Sequence, residues 1–172
     1  MNKLVLIGRL KYIDGKKYIS FRTESREHVL PVVANCDASD GAWVSFTGQL
    51  HTGSIWDAEQ GRYHKTWFGK GELCEVDECP YLNDVQVCAG TLVKVDRIRT
   101  TPLTMRRILD FVVADGNDYF NCIAFGRTAE RLLEEKQEGD RICIRSAMFH
   151  SRDYQKDGET KTAYEVCVKS FV

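Results

Sequence analysis

Proline is almost missing from this sequence, with three in 172 residues. That scarcity, beside thirteen glycines, gives no sign of a collagen-like or disordered chain. Long hydrophobic runs are also missing. No stretch approaches the roughly 20 apolar residues of a membrane span. The apolar start at residues 4–7 (LVLI) is too short for a signal-peptide core and runs straight into Gly8-Arg9. An excess of one charge is lacking too: the formal net charge is −1. Residues 1–80 carry 10 basic and 11 acidic side chains, and residues 81–172 carry 14 of each. Coating of duplex DNA by charge alone is excluded, so any nucleic-acid contact must rest on a local patch.

No pair among the seven cysteines forms C-x-x-C, and their number is odd. Most stand inside apolar, strand-like runs, where a free thiol packs as a small hydrophobe. This pattern fits a reducing cytosol better than a secreted disulfide scaffold. Cys74, Cys79 and Cys88 lack the spacing of a zinc knuckle. No phosphate-binding G-x-x-x-x-G-K-[ST] loop, G-x-S-x-G elbow or H-E-x-x-H pair occurs. The four histidines (28, 51, 64 and 150) are scattered. We expect neither an enzyme nor a cofactor.

What is present is period-two alternation. Five strands are expected at Leu4–Leu10, Lys16–Thr23, His28–Asn35, Ala42–His51 (broken by Gly53) and Tyr63–Val76. Turns fall at Asp14-Gly15, Asp37–Gly41 and Asp57–Gly61. After a junction at residues 79–83 the pattern restarts, with strands at Val85–Val95, Arg107–Ala114, Asp118–Phe125, Arg141–Phe149 and Lys161–Phe171. Residues 127–137 (RTAERLLEEKQ) break the rhythm. Ala129, Leu132, Leu133 and Lys136 fall at helical spacing, and Gly139 is a plausible stop. Short strands with Gly/Asp turns suggest small closed barrels.

The halves are related. Residues 2–10 (NKLVLIGRL) align with residues 83–92 (NDVQVCAGTL), one residue longer. The pattern Gly41, Val44, Phe46, Gly48, Leu50 repeats as Gly139, Ile142, Ile144, Ser146, Met148. Fifteen residues beyond each glycine stands an aromatic, Trp56 and Tyr154. We read an internal duplication that keeps the helix in the second copy alone.

Residues 118–130 (DYFNCIAFGRTAE), 138–144 (EGDRICI), Ser151-Arg152-Asp153-Tyr154 and Lys156-Asp157-Gly158 together resemble the bacterial single-stranded DNA-binding (SSB) family. The likeness covers nearly all of residues 83–172. In the first half it is confined to residues 2–10 and Thr47–Leu50. It implies an all-β fold with one short helix, built as two tandem five-stranded OB-fold barrels. One is the N-terminal barrel at 1–78, which has lost its helix. The other is the SSB-like barrel at 83–172. The family usually ends in a disordered stretch with an acidic tip that recruits replication partners. Here the sequence stops at Val172, one residue past a strand, and such recruitment is not expected. The short Ala114–Asp118 hairpin leaves no room for the family's usual aromatic loop. In these departures the chain is more like the primosomal OB proteins of the PriB type. Two barrels in one chain resemble the SSB variants that pair as homodimers.

Single strands expose base faces and a phosphate chain, so a sequence-tolerant binder needs aromatic platforms beside cations. Tyr119, Asn121, Ile123 and Phe125 share one face of their strand, and Phe120, Cys122 and Ala124 the other. Periodicity does not choose between two largely apolar faces. The resemblance puts Tyr119 and Phe125 at base-stacking positions. Tyr154 stands between Arg152 and Lys156 on the expected hairpin arm. Phe149 is left open between stacking and core. Arg97, Arg99, Arg106 and Arg107 cluster in the loop that flanks the binding face of OB folds. Arg127 opens the helix, where it is a candidate phosphate contact. In the first half Trp56, Tyr63 and Trp67 interleave with Arg62, His64 and Lys65, as a stacking groove or as apolar packing.

The expected function is sequence-tolerant binding of single-stranded DNA in replication, repair or mobile-element transfer, in the cytoplasm at the nucleoid. The alternative is an adaptor that grips a replication or primosome protein with weak DNA contact.

Overall fold

The computed structural model describes all 172 residues except Glu24, Ser25, Glu59 and Gln60, and leaves aside the side chains of Ile55 and Asp57. Eleven strands and one helix are described, and the chain resolves into two compact units. One unit holds Lys3–Asp84 with Ser151–Tyr164, and the other Met1–Asn2, Val85–His150 and Glu165–Val172. Among the described residues no helix is long and apolar enough to cross a membrane.

In the unit of residues 3–84 the strands are β1 (Asn2–Ile13), β2 (Lys16–Arg22), β3 (Glu27–Val33), β4 (Trp43–Asp57) and β5 (Arg62–Glu75). Their pairings close on themselves. β1 pairs antiparallel with β2 and β4, β2 with β3, and β4 with β5, while β3 meets β5 in parallel. Alternation along β1 and β2 sends Leu4, Leu6, Leu10, Ile19 and Phe21 inward, where Leu30, Val44, Phe46 and Leu50 meet them, all fully buried. Each such side chain contributes roughly 1.5–3 kcal/mol. Asp14 and Gly15 both have positive φ, which is the geometry of a two-residue hairpin turn.

β4 does not stop at Gly53 as the sequence suggested. Gly53 pairs with Thr66 within the ladder, and a Cβ there would sit 3.3 Å from the Phe68 ring. The missing side chain makes room for a neighbouring ring instead of ending the strand. Gly48 and Gly71 are cross-strand partners, and a Cβ on Gly48 would stand 2.3 Å from the Lys70 carbonyl oxygen.

In the other unit the strands are β6 (Leu82–Val95), β7 (Arg99–Thr100), β8 (Arg107–Asp115), β9 (Asp118–Phe125), β10 (Arg141–Lys156) and β11 (Glu159–Phe171). The same circuit recurs. β6 pairs antiparallel with β8 and β10, β8 with β9, and β9 with β11 in parallel, and β10 neighbours β11. The duplication extends to individual pairs. Leu6 faces Phe46 and Gly8 faces Val44, while Val87 faces Ile144 and Gly90 faces Ile142. The extra residue of the second copy is absorbed between Val87 and Gly90, where the β6–β10 register shifts. Cys88 and Ala89 are both exposed there, as a β-bulge requires.

Between β9 and β10 runs α1 (Gly126–Glu135), which buries Ala129 and Leu132. Arg131 pairs with Glu135 one turn on and lies 4.7 Å over the Phe171 ring. The helix ends two residues before the expected boundary, and Gly139 (φ 96°) follows in the turn before β10. β7 was not expected. It is a two-residue strand that turns the arginine loop into a hairpin with β8.

β10 and β11 run longer than the sequence indicated and divide between the units. Residues 151–164 form an arm that belongs with residues 3–84. Its tip is Asp157-Gly158, again with φ positive at both residues. Within that unit Ser151 is buried against β3. Its N–H donates to His28 Nδ1 (3.0 Å), and its Oγ accepts from the Val29 N–H (3.1 Å). Nδ1 also stands 3.1 Å from the Ser151 carbonyl oxygen and Nε2 3.1 Å from the Thr23 hydroxyl, and the tautomer sets which of these the ring donates to. The ring stacks on Phe21 at 5.5 Å.

Burial holds the His28 pKa below its ordinary value, against the opposing Ser151 backbone hydrogen bond, and the Arg26 charge lowers it further. An imidazole whose folded pKa is depressed stabilises fully above its unfolded pKa, about 6.5. That contribution is lost as pH falls through the window between the two values. The urea midpoint is expected to fall as pH drops below neutral, and to fall less in His28→Asn. Equal pH slopes in the two proteins would rule out His28 as the source.

Candidate nucleic-acid interface

β9 separates a buried from an exposed face over its first half. Phe120, Cys122 and Ala124 point inward and are buried. Tyr119 and Asn121 on the opposite face are exposed, Tyr119 by 57%. Farther along that face Ile123 is buried in a small cluster with Ile108 and Cys167, and Phe125 packs against it half-buried. Six residues of strand put Tyr119 and Phe125 about 20 Å apart. Burial pushes the Cys122 and Cys167 thiols up, which leaves them protonated packing groups. Those two alone are buried among the seven. Cys74 and Cys88 are exposed, contrary to the expectation that most pack as hydrophobes.

The arginines of the flanking hairpin occupy three kinds of setting. Arg106 lies over the Phe125 ring, with its guanidinium carbon 4.5 Å from the centroid. Arg99 grips Asp110 through two nitrogens (2.8 and 3.3 Å), which raises its pKa, and Arg107 binds Glu130 at 2.7 Å. Arg97 is exposed and makes no ion pair among the described residues. Arg127 is likewise exposed, in the first turn of α1, where no acidic residue and no side-chain cap occupies the helix start. The hairpin tip is fixed internally. The Arg106 N–H donates to the Thr101 hydroxyl and the Met105 N–H to the Thr101 carbonyl, each at 3.0 Å, and the Thr101 and Thr104 hydroxyls hydrogen-bond. Asp110 and Glu130 were missed in the sequence. Alternation from the inward Leu109 and Phe111 does place Asp110 on the outward face, opposite Ile123.

Phe149 is not a surface platform. It is fully buried. A register shift between Ile144 and Ala147 moves the buried phase of β10 from 142 and 144 to 147, 149 and 151. Straight alternation from Ile142 would have turned Phe149 outward.

In the unit of residues 3–84, Tyr154 on the arm is half-exposed, and Arg152 and Lys156 beside it are exposed with no ion pair among the described residues. Trp56 and Tyr63 are cross-strand partners at the β4–β5 hairpin, exposed, with rings edge-to-face at 5.0 Å. Trp67 is 6% exposed and stacks on Tyr164 at 6.1 Å. It shares the phase of the buried Leu73 and packs inside, which corrects its place among the stacking candidates.

Phe149→Ala and Trp67→Ala are each expected to lower stability by about 3–5 kcal/mol in urea denaturation. Tyr119→Ala should stay within about 0.5 kcal/mol of wild type. A large loss in Tyr119→Ala would show that its ring is structural.

No protein-family model matches the sequence, and no curated protein matches it. Among solved structures, a deletion variant of the single-stranded DNA-binding protein from Thermus aquaticus superposes with TM-score 0.75 at 16% identity, covering 100% of this chain and 93% of that one. The wild-type Thermus aquaticus protein does so with TM-score 0.73 at 16% identity, covering 100% and 92%. At this identity the likeness is one of architecture: the chain has the SSB-type OB fold.

Proposed function

We propose that this chain binds single-stranded DNA with little sequence preference. One observation carries the reading: an exposed tyrosine and a half-buried phenylalanine share the outward face of β9, beside a hairpin of four arginines, in a chain with the fold of a known single-strand binder. We read each closed ring of pairings as a five-stranded OB barrel, so that two stand in tandem, at residues 1–78 and 83–172. Bases stack on Tyr119 and Phe125, and on Tyr154, Trp56 and Tyr63 in the other unit. Arg106, whose guanidinium carbon already lies over the Phe125 ring, offers a second surface to a base. Arg97, Arg127, Arg152 and Lys156 meet phosphates directly, while Arg99 and Arg107 must exchange a carboxylate for one. Two chains pair as a homodimer. Replication, repair or mobile-element transfer supplies the strand, in the cytoplasm at the nucleoid.

The adaptor reading draws on one feature. Leu103 stands almost fully exposed and Met105 largely exposed at the arginine hairpin tip, as apolar groups offered to a protein partner would.

Quenching of intrinsic fluorescence by oligo-dT, over a salt series and with sizing of the complex, tests the proposal. Affinity should fall linearly with salt on logarithmic axes. Tyr119→Ala should weaken binding about tenfold, since stacking contributes roughly 1–3 kcal/mol per base. Absence of binding, or binding indifferent to salt, would overturn the reading and favour the adaptor.

A further inference from the structure

A cavity of about 390 Å³ opens in the unit of residues 3–84, between the outward side of β2–β3 and the arm. Its walls include two tyrosines, Tyr18 and Tyr164, and two arginines, Arg26 and Arg152. Neither Arg26 nor the two tyrosines stood out in the sequence.

Two acids also line the cavity, Glu27 bonded to Lys11 and Ser20 outside it and Asp153 to Thr162 within its lining. Glu27 binds Lys11 at 2.7 Å and accepts from the Ser20 hydroxyl, and these contacts hold its carboxyl below the usual range. Asp153 accepts from the Thr162 hydroxyl at 2.7 Å. Arg26 and Arg152 are exposed and make no ion pair among the described residues. A guanidinium without a carboxylate partner is a ready phosphate donor fork. The aromatic wall is rigid, because Tyr164 stacks on Trp67 with the two planes 24° apart. The floor is fixed by the Val29 and Ser151 hydrogen bonds already described.

The combination selects its ligand. Two cations with flat rings suit a group that is anionic at one end and planar at the other. The volume lies near the lower end for small-molecule sites, which run from about 300 to 1,000 Å³. Two carboxylates nearby disfavour a triphosphate and suit a single negative charge. We propose that this cavity holds one nucleotide of a single strand, with its phosphodiester on Arg26 and Arg152 and its base against Tyr18 and Tyr164. The inference rests on the single-strand reading above and adds to it a second station. In this unit β3 presents Glu27, Val29 and Pro31 outward, where β9 presents Tyr119, Asn121 and Ile123. The arm supplies the ring and cation that β3 lacks.

The test uses the full chain and iodouracil-substituted oligo-dT. Photocrosslinking followed by peptide mapping should mark Tyr18 or Tyr164 in addition to Tyr119. Arg26→Ala changes an exposed side chain and leaves the core alone. It should lower the logarithmic salt slope by roughly 0.7, the value for one phosphate contact on a single strand, and remove the Tyr18 and Tyr164 crosslinks while keeping that at Tyr119. If wild type binds and crosslinks at Tyr119 only, with the slope of Arg26→Ala unchanged, the cavity is not a nucleotide site and the single-strand reading stands. If wild type does not bind oligo-dT, both fall together.

Discussion

Ser151 is the residue on which the candidate surface of the 3–84 unit depends. Its N–H and Oγ are both spent on β3, at the ring of His28 and the backbone of Val29. An unpaired polar group buried there would cost about 1–3 kcal/mol, so the two bonds hold the base of the arm in one register. Beyond Ser151 the strands of the arm are tied across by Asp153–Thr162 and Gln155–Thr160 hydrogen bonds. Arg62 of β5 reaches Glu159 near the tip at 2.8 Å. The arm is therefore braced at both ends. Arg152, Tyr154 and Lys156, which share one face of β10, are presented by a fixed strand rather than a loose loop.

Much of this was legible in the sequence. Asp-Gly pairs at 14–15 and 157–158 mark turns because both residues must adopt positive φ. The spacing from Gly41 and Gly139 identified equivalent strands, and the register pairs Gly8–Val44 and Gly90–Ile142 bear that out. Even the odd residue of the second repeat has a physical counterpart, the bulge at Cys88 and Ala89.

What stayed hidden has specific causes. Phe149 went inside because a bulge reversed the phase of β10, and a bulge leaves no signature in a period-two pattern. The outward side of β9 was undecidable because Ile123 and Phe125 on that side are as apolar as the core-facing residues. The membership of the arm depends on contacts between Ser151 and residues more than 120 positions earlier, and no local window contains both. β7, two residues long, is below any periodicity. Trp67 is a different case. Its phase with Leu73 was readable, but its cationic neighbours suggested a surface groove.

Charge balance sets how the surface must work. In a chain of net charge −1 an arginine patch can persist only if acids elsewhere offset it. Here two of those acids, Asp110 and Glu130, sit within the patch. Exposed pairs of this kind contribute roughly 0.2–1 kcal/mol. That is too little to prevent a phosphate from displacing the carboxylate, yet enough to hold Arg99 and Arg107 in defined rotamers beforehand. The exchange also frees a carboxylate that gathers cations from solution, which offsets part of the release of the strand's own counterions. Under the proposed single-strand reading, salt sensitivity should track the cations without acid partners that meet phosphates, Arg97 and Arg127 around β9, rather than the total number of arginines. Under that reading, affinity beyond that share comes from stacking on Tyr119 and the Phe125–Arg106 pair, a component that salt screens far less.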